Sequence, residues 1–219
     1  MKQEALKTLL ETFGQRYSEV LGIKLETSSD SEVFKWFLVS ILFGAPITES
    51  SVIKTYKCFE EYRVLMPEKI LKTQWNGLVK ILDEGGYTRY DFKTADKLLL
   101  VTGNLEKEYN GSLSLLHQRA SDSADLENRL KELGKGIGDI TISIFLRDLR
   151  GIWKKADPKP TPLIILAARN LGVIKTEHPQ KALEEMKTFW NRNSILGYSF
   201  ANFETALLRF GKGLRRKKS

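Results

Sequence analysis

Apolar residues recur at intervals of three and four along most of the chain, with little sustained alternation of period two, which predicts helices and no extended sheet. Leu6, Leu9, Leu10, Phe13 and Tyr17 describe one amphipathic helix over residues 1 to about 22. Ser29 followed by Glu32 gives a capping box ahead of Val33 to Leu42, a run apolar on nearly every face and so expected at the centre of the core. Thr48 caps a helix carrying Val52, Tyr56 and Phe59, and Pro67 opens a short one with Ile70 and Leu71. Trp75, Leu78, Val79 and Leu82 form the next, which stops at Gly85-Gly86, and Phe92, Ala95, Leu98 and Leu99 mark another. After a weakly patterned Leu113 to Leu116 come Leu126, Leu130 and Leu133, then Asp139 to Leu149. Thr161-Pro162 begins a helix through Leu171, Pro179 opens one with Leu183, Met186, Phe189 and Trp190, and Phe200, Phe203, Leu207 and Phe210 line the last. Helices separated by short breaks make an all-α protein.

Between two of these helices, Gly134 to Gly138 form a tight glycine turn. Glycine at 136 and 138 leaves no Cβ to block a close approach, and the free N–H groups opening the second helix can point at an anion such as a DNA phosphate. An ordinary helix–helix connection closed by a glycine cap fits the same residues. Asp157 stands before a proline, where aspartate commonly forms a turn. Lys154, Lys155 and Lys159 flank it and either favour its ionised form, contact phosphate or sit in solvent.

The charge balance sharpens this picture. A net charge of +8 and a pI near 9.4 suit a polyanionic partner, although much of the excess lies in the tail Lys212 to Lys218, which also reads as a solvated terminus. Apolar content of 42% beside 28% charged residues argues against wholesale disorder. No run approaches the roughly 18 apolar residues of a membrane span, and no signal peptide opens the chain, so an intracellular location is expected, cytoplasmic at the nucleoid in a prokaryote. Cys58 is the single cysteine, so neither an internal disulfide nor a cysteine-held iron–sulfur cluster can form. His117 and His178 are isolated, and no metal site made of side chains is visible.

Gly136-Ile137-Gly138-Asp139-Ile140-Thr141 resembles the helix-hairpin-helix of the endonuclease III superfamily of DNA glycosylases, whose pattern is Leu-Pro-Gly-Val/Ile-Gly-x-x-Thr-Ala. In that family an essential aspartate follows the first hairpin glycine by a little over twenty residues, and Asp157 lies 21 residues beyond Gly136. Phe145-Leu146-Arg147 is similar to a segment that follows the hairpin in several members. The resemblance covers most of the chain and implies two helical lobes around a cleft. One is a six-helix lobe over 28–150 with the hairpin at about 126–149, the other joins 1–27 to 151–219. It implies a base-excision enzyme that hydrolyses the N-glycosidic bond of a damaged or mismatched base in double-stranded DNA, as a monomer, with Asp157 beside the sugar.

On the same resemblance Lys135, Gly136, Ile137, Gly138 and Thr141 grip the DNA, and Gly86-Tyr87 matches a loop that supplies a wedge, making Tyr87 a candidate intercalator or an ordinary core tyrosine. Trp36 and Trp153 could stack a flipped base or simply pack. Backbone carbonyls of the hairpin hold a monovalent cation in several relatives, and the cluster-binding cysteines of many others have no counterpart here. Bifunctional members carry a lysine two residues after the second hairpin glycine; Ile140 stands there, which implies hydrolysis without strand cleavage. Two alternatives stay open: a lesion-specific DNA-binding protein without catalysis, and a lyase with its lysine elsewhere.

Overall fold

The computed structural model describes residues 1–216, so Lys217 and Lys218 of the basic tail lie outside the described residues. Among the described residues there are 12 α-helices and no strand. They are α1 (Gln3–Phe13), α2 (Tyr17–Val20), α3 (Asp30–Phe43), α4 (Glu49–Glu61), α5 (Pro67–Glu84), α6 (Asp91–Tyr109), α7 (Leu113–Arg119), α8 (Ser123–Glu132), α9 (Asp139–Leu149), α10 (Pro162–Asn170), α11 (Pro179–Asn193) and α12 (Phe200–Arg216). The all-α expectation holds.

Local chemistry explains most boundaries. Ser29 accepts from the Glu32 N–H at the start of α3, while the Glu32 carboxylate turns to the Lys24 N–H at 2.7 Å instead of closing the box. Thr48, Ser112, Asp122 and Thr161 cap α4, α7, α8 and α10 in the same way. The first expected helix divides, because Gly14 ends α1 and the chain turns through Gln15 and Arg16 before α2. A Cβ at Gly14 would stand 2.5 Å from the Leu10 carbonyl oxygen, so this bend needs glycine. Within α5, Gln74 adopts φ +58°, a left-handed kink that separates the Pro67 segment from the one carrying Trp75 and Leu78.

Two hydrophobic clusters organise the helices. The larger takes Val33, Trp36, Phe37 and Leu38 from α3, Leu98 and Leu105 from α6, Leu126 and Leu130 from α8, and Phe145 and Leu146 from α9. The smaller joins Leu6 and Leu10 of α1 to Ile164 and Ala168 of α10, Met186 of α11 and Phe203 and Leu207 of α12. Tyr17, Ile23, Leu25, Trp153 and Ala156 pack into the larger cluster, so segments outside 28–150 contribute to that core.

Trp36, Trp153 and Tyr87 all belong to that larger core, which corrects their expected places at the DNA. Trp36 is fully buried and donates its indole N–H to the Phe145 carbonyl at 3.0 Å. Trp153 is buried and stacks on His117 with ring centroids 4.5 Å apart. Tyr87 is buried, its hydroxyl donates to the Leu42 carbonyl, and it cannot serve as a wedge. An aromatic after a glycine pair reads alike whether it points outward or inward; here the apolar surface won. Replacing Trp36 with alanine should cost about 3–5 kcal/mol of stability through the lost packing and the cavity left behind. Chemical denaturation measures this, and a loss below about 1 kcal/mol would place Trp36 outside the core.

Candidate nucleic-acid interface and interlobe cleft

The glycine turn is built by two neighbours. Gly134 packs against α6 so closely that a Cβ would meet a Val101 methyl at 2.8 Å. Gly136 has φ +95°, and a Cβ there would meet the Lys97 side chain at 2.7 Å. Gly138 is the N-cap of α9, with no side-chain cap and open space where its Cβ would be. The first-turn N–H groups of α9 therefore face an uncovered end of the helix. Lys135, Gly136, Gly138 and Ile140 are exposed. Ile137 and Thr141 are buried, so of the expected DNA-contacting residues these two offer backbone and not side chain. Asp139 is held by Lys131 at 2.7 Å, which offsets the acid beside the turn.

Lys97 was not legible as part of this site. Burial pushes its pKa down, and it reaches the turn from the middle of α6, 39 residues earlier in the chain. A lysine among helical residues carries no sequence mark of what it overhangs. Lys97, Lys135 and the bare end of α9 together can hold phosphates through charge and backbone donors.

Beyond α9 the chain turns back on itself, with the Leu149 carbonyl accepting from Ile152 and Trp153, and leads to Asp157. One carboxylate oxygen of Asp157 accepts from the Arg150 guanidinium, the other from Lys187 of α11 at 2.7 Å. Arg150 also donates to the Pro158 carbonyl at 2.6 Å and to Glu204 of α12 at 2.8 Å. The Arg150 and Glu204 side chains are almost completely buried, whereas those of Asp157 and Lys187 are 37% and 41% exposed. Burial pushes the Glu204 carboxyl upward against the pull of Arg150. Burial, followed by the repulsion of Arg150, draws the Lys187 ammonium downward.

A cleft of about 800 Å³ opens between the lobes. Its walls include Tyr17, Phe43 and Ile47 on one side, the Ile140, Ser143, Ile144 and Arg147 face of α9, and the segment from Pro158 to Pro162. Asp157 is not on the wall itself; its neighbour Pro158 is, and the Asp157 carboxylate is turned to Arg150 and Lys187. Glu127 also lines the cleft, and burial lifts its pKa, opposed by Lys131 and Lys159. The start of the basic tail is tied down here, with Lys212 near the Tyr17 hydroxyl at 3.1 Å and Glu49 at 3.4 Å.

No protein-family model and no curated protein matches this sequence. Among solved structures, the chain is similar to the crystal structure of H. pylori 3-methyladenine DNA glycosylase (MagIII) bound to 1,N6-ethenoadenine. The TM-score is 0.58 at 16% sequence identity, and the likeness covers 99% of this chain and 98% of that one. The likeness takes in both lobes and is one of fold: the chain shares the all-helical, two-lobed architecture of that enzyme.

Arg150→Met should destabilise the protein by about 3–5 kcal/mol at neutral pH, since it strands a buried carboxylate without its cation. A carboxyl whose folded pKa is raised contributes stability at low pH that is lost as pH climbs through the raised value. The deficit against wild type should therefore shrink on acidification toward the ordinary carboxylate range. Urea unfolding at several pH values reads this, and a deficit that did not narrow would contradict the bridge.

Proposed function

We propose that this protein is a monofunctional DNA glycosylase of base-excision repair, acting on a damaged or mismatched base in double-stranded DNA. The observation that carries the reading is the whole-length likeness in fold to a DNA glycosylase, in a chain whose hairpin and Asp157 keep the family spacing. In this reading the glycine turn, Lys135 and Lys97 hold phosphates beside the target nucleotide while its base rotates into the cleft. As the glycosidic bond breaks, the base leaves with its electron pair and positive charge gathers on the sugar. The Asp157 carboxylate stabilises that charge and takes the proton of the water that attacks C1′. Arg150 is buried and keeps hold of Asp157, while the more exposed Lys187 gives way to DNA phosphate and leaves the second oxygen free.

Asp157→Asn should lower single-turnover base release by about two to three orders of magnitude while leaving duplex affinity nearly unchanged. Oligonucleotides bearing a panel of lesions, read separately for base release and for strand nicking, decide it. Full activity in this variant would remove Asp157 from the chemistry.

One observation favours a second reading, in which the strand is also cut. Lys187 lies beside Asp157 at 2.7 Å, and its amine, once its proton has passed to that carboxylate, can attack C1′ of an abasic sugar, lose water and form an imine. Borohydride should then trap a covalent complex with abasic DNA in wild type and none in Lys187→Gln. Absence of a trapped complex in wild type returns the reading to hydrolysis alone.

A further inference from the structure

The face of α9 that looks into the cleft carries Ile140, Ser143, Ile144 and Arg147, spaced as one side of a helix. It runs from Ile140, 64% exposed at the mouth, to Arg147, 2% exposed at the far end. Seven residues at the helical rise make a path of about 10 Å, long enough to take a nucleobase edge-on. Phe43, Ile47 and Leu208 add apolar walls along it.

Arg147 is only partly satisfied. Its Nε donates to Asp148 at 3.3 Å, and the other Asp148 oxygen is taken by the Ser18 hydroxyl at 2.9 Å. Its Nη2 is buried and has no hydrogen-bond partner among the described residues. A charged donor left unpaired next to a cavity is costly unless something in the cavity accepts from it. Guanidinium has only donors to offer, so what completes it must be an acceptor.

We infer that Arg147 is the group at the inner end of the cleft that reads the base, and that the base it takes is neutral with a carbonyl oxygen on its inner edge. Deaminated and oxidised bases answer to this description. Bases made cationic by N-alkylation do not, because they would bring a second positive charge toward a guanidinium whose one carboxylate contact, Asp148 at 3.3 Å, is already shared with Ser18. The acids that face the cleft, Glu49, Glu127 and Asp139, leave this preference in place. Glu49 is held by Tyr17 at 2.8 Å, Asp139 by Lys131 at 2.7 Å, and Glu127 lies in the field of Lys131 and Lys159. The inference rests on the proposed function, since it assigns a substrate class to that same cleft.

The test uses the intact chain in two arms. In the first, calorimetry compares free hypoxanthine with 6-methylpurine, which carries a methyl group in place of the carbonyl oxygen. Hypoxanthine should bind wild type at least about tenfold more tightly, and Arg147→Met should erase the difference. Equal binding of the two, or no binding of either, by wild type overturns the inference without need of a variant that folds. In the second arm, single-turnover release is measured from duplexes containing hypoxanthine, uracil, 8-oxoguanine or 3-methyladenine. Faster release of 3-methyladenine than of every carbonyl base overturns the inference and leaves the glycosylase reading standing. If no base is released while hypoxanthine still outbinds 6-methylpurine, the catalytic reading fails and the Arg147 pocket survives.

Discussion

The arrangement depends on one buried guanidinium. Arg150, just past the end of α9, ties Glu204 of the second lobe to Asp157 and to the Pro158 carbonyl. Taking a guanidinium and a carboxylate out of water is expensive, and their attraction recovers that cost only when the geometry satisfies most of the donors. Arg150 meets the condition by spending its nitrogens on three acceptors. What it contributes is less net stability than register: its bonds set the loop bearing Asp157 against α12. A buried pair of this kind is far more harmful to break than to lack, so it constrains the sequence on both sides of the cleft.

A second set of polar contacts sits one turn earlier and does similar work. Arg16 donates to the Asp148 carbonyl at 3.4 Å, and Ser18 bonds the Asp148 carboxylate, so the segment between α1 and α3 is pinned to α9. Asn202 of α12 donates to the Gly14 carbonyl at 2.9 Å. The last turn of α9 thus carries Arg147 and Asp148 inside the protein, followed by Arg150, where an apolar helix end would be cheaper. These groups join separately packed cores through directional bonds, and directional bonds specify orientation in a way that apolar contact alone does not.

The helices were legible because local chemistry decides them: Thr48, Thr161 and Pro179 act on their own next few residues, and apolar spacing is local too. The hairpin and the distance to Asp157 were legible for the same reason. The partners of Asp157 were not. Arg150 is seven residues away, but Lys187 lies 30 residues off on another helix, and Glu204 is 54 residues from Arg150. Glu204 gives no signal in sequence, since a glutamate in an amphipathic helix is usually solvated and only the fold shows it buried. Arg147 reads as a surface arginine of α9 for the same reason. Trp36, Trp153 and Tyr87 failed in the opposite direction: large aromatics serve cores and pockets alike, and periodicity cannot tell which side of a helix meets the cleft.

The cations of the site divide by burial, and that division decides which of them can respond to DNA. Arg147 and Arg150 are enclosed, and moving either would expose a carboxylate to an apolar surrounding, a penalty of several kcal/mol. Lys135 is exposed and Lys187 is 41% exposed; ion pairs of that kind are worth about 0–1 kcal/mol, so exchanging a carboxylate for a phosphate is nearly neutral. Under the proposed function the approach of the phosphate backbone would therefore redistribute lysines and leave arginines fixed. The carboxylate of Asp157 would lose its weaker partner at the moment the sugar arrives, and its stronger partner would keep it aimed. An arginine in place of Lys187 would hold Asp157 with two donors and resist that exchange, whereas a lysine's single ammonium releases it at little cost.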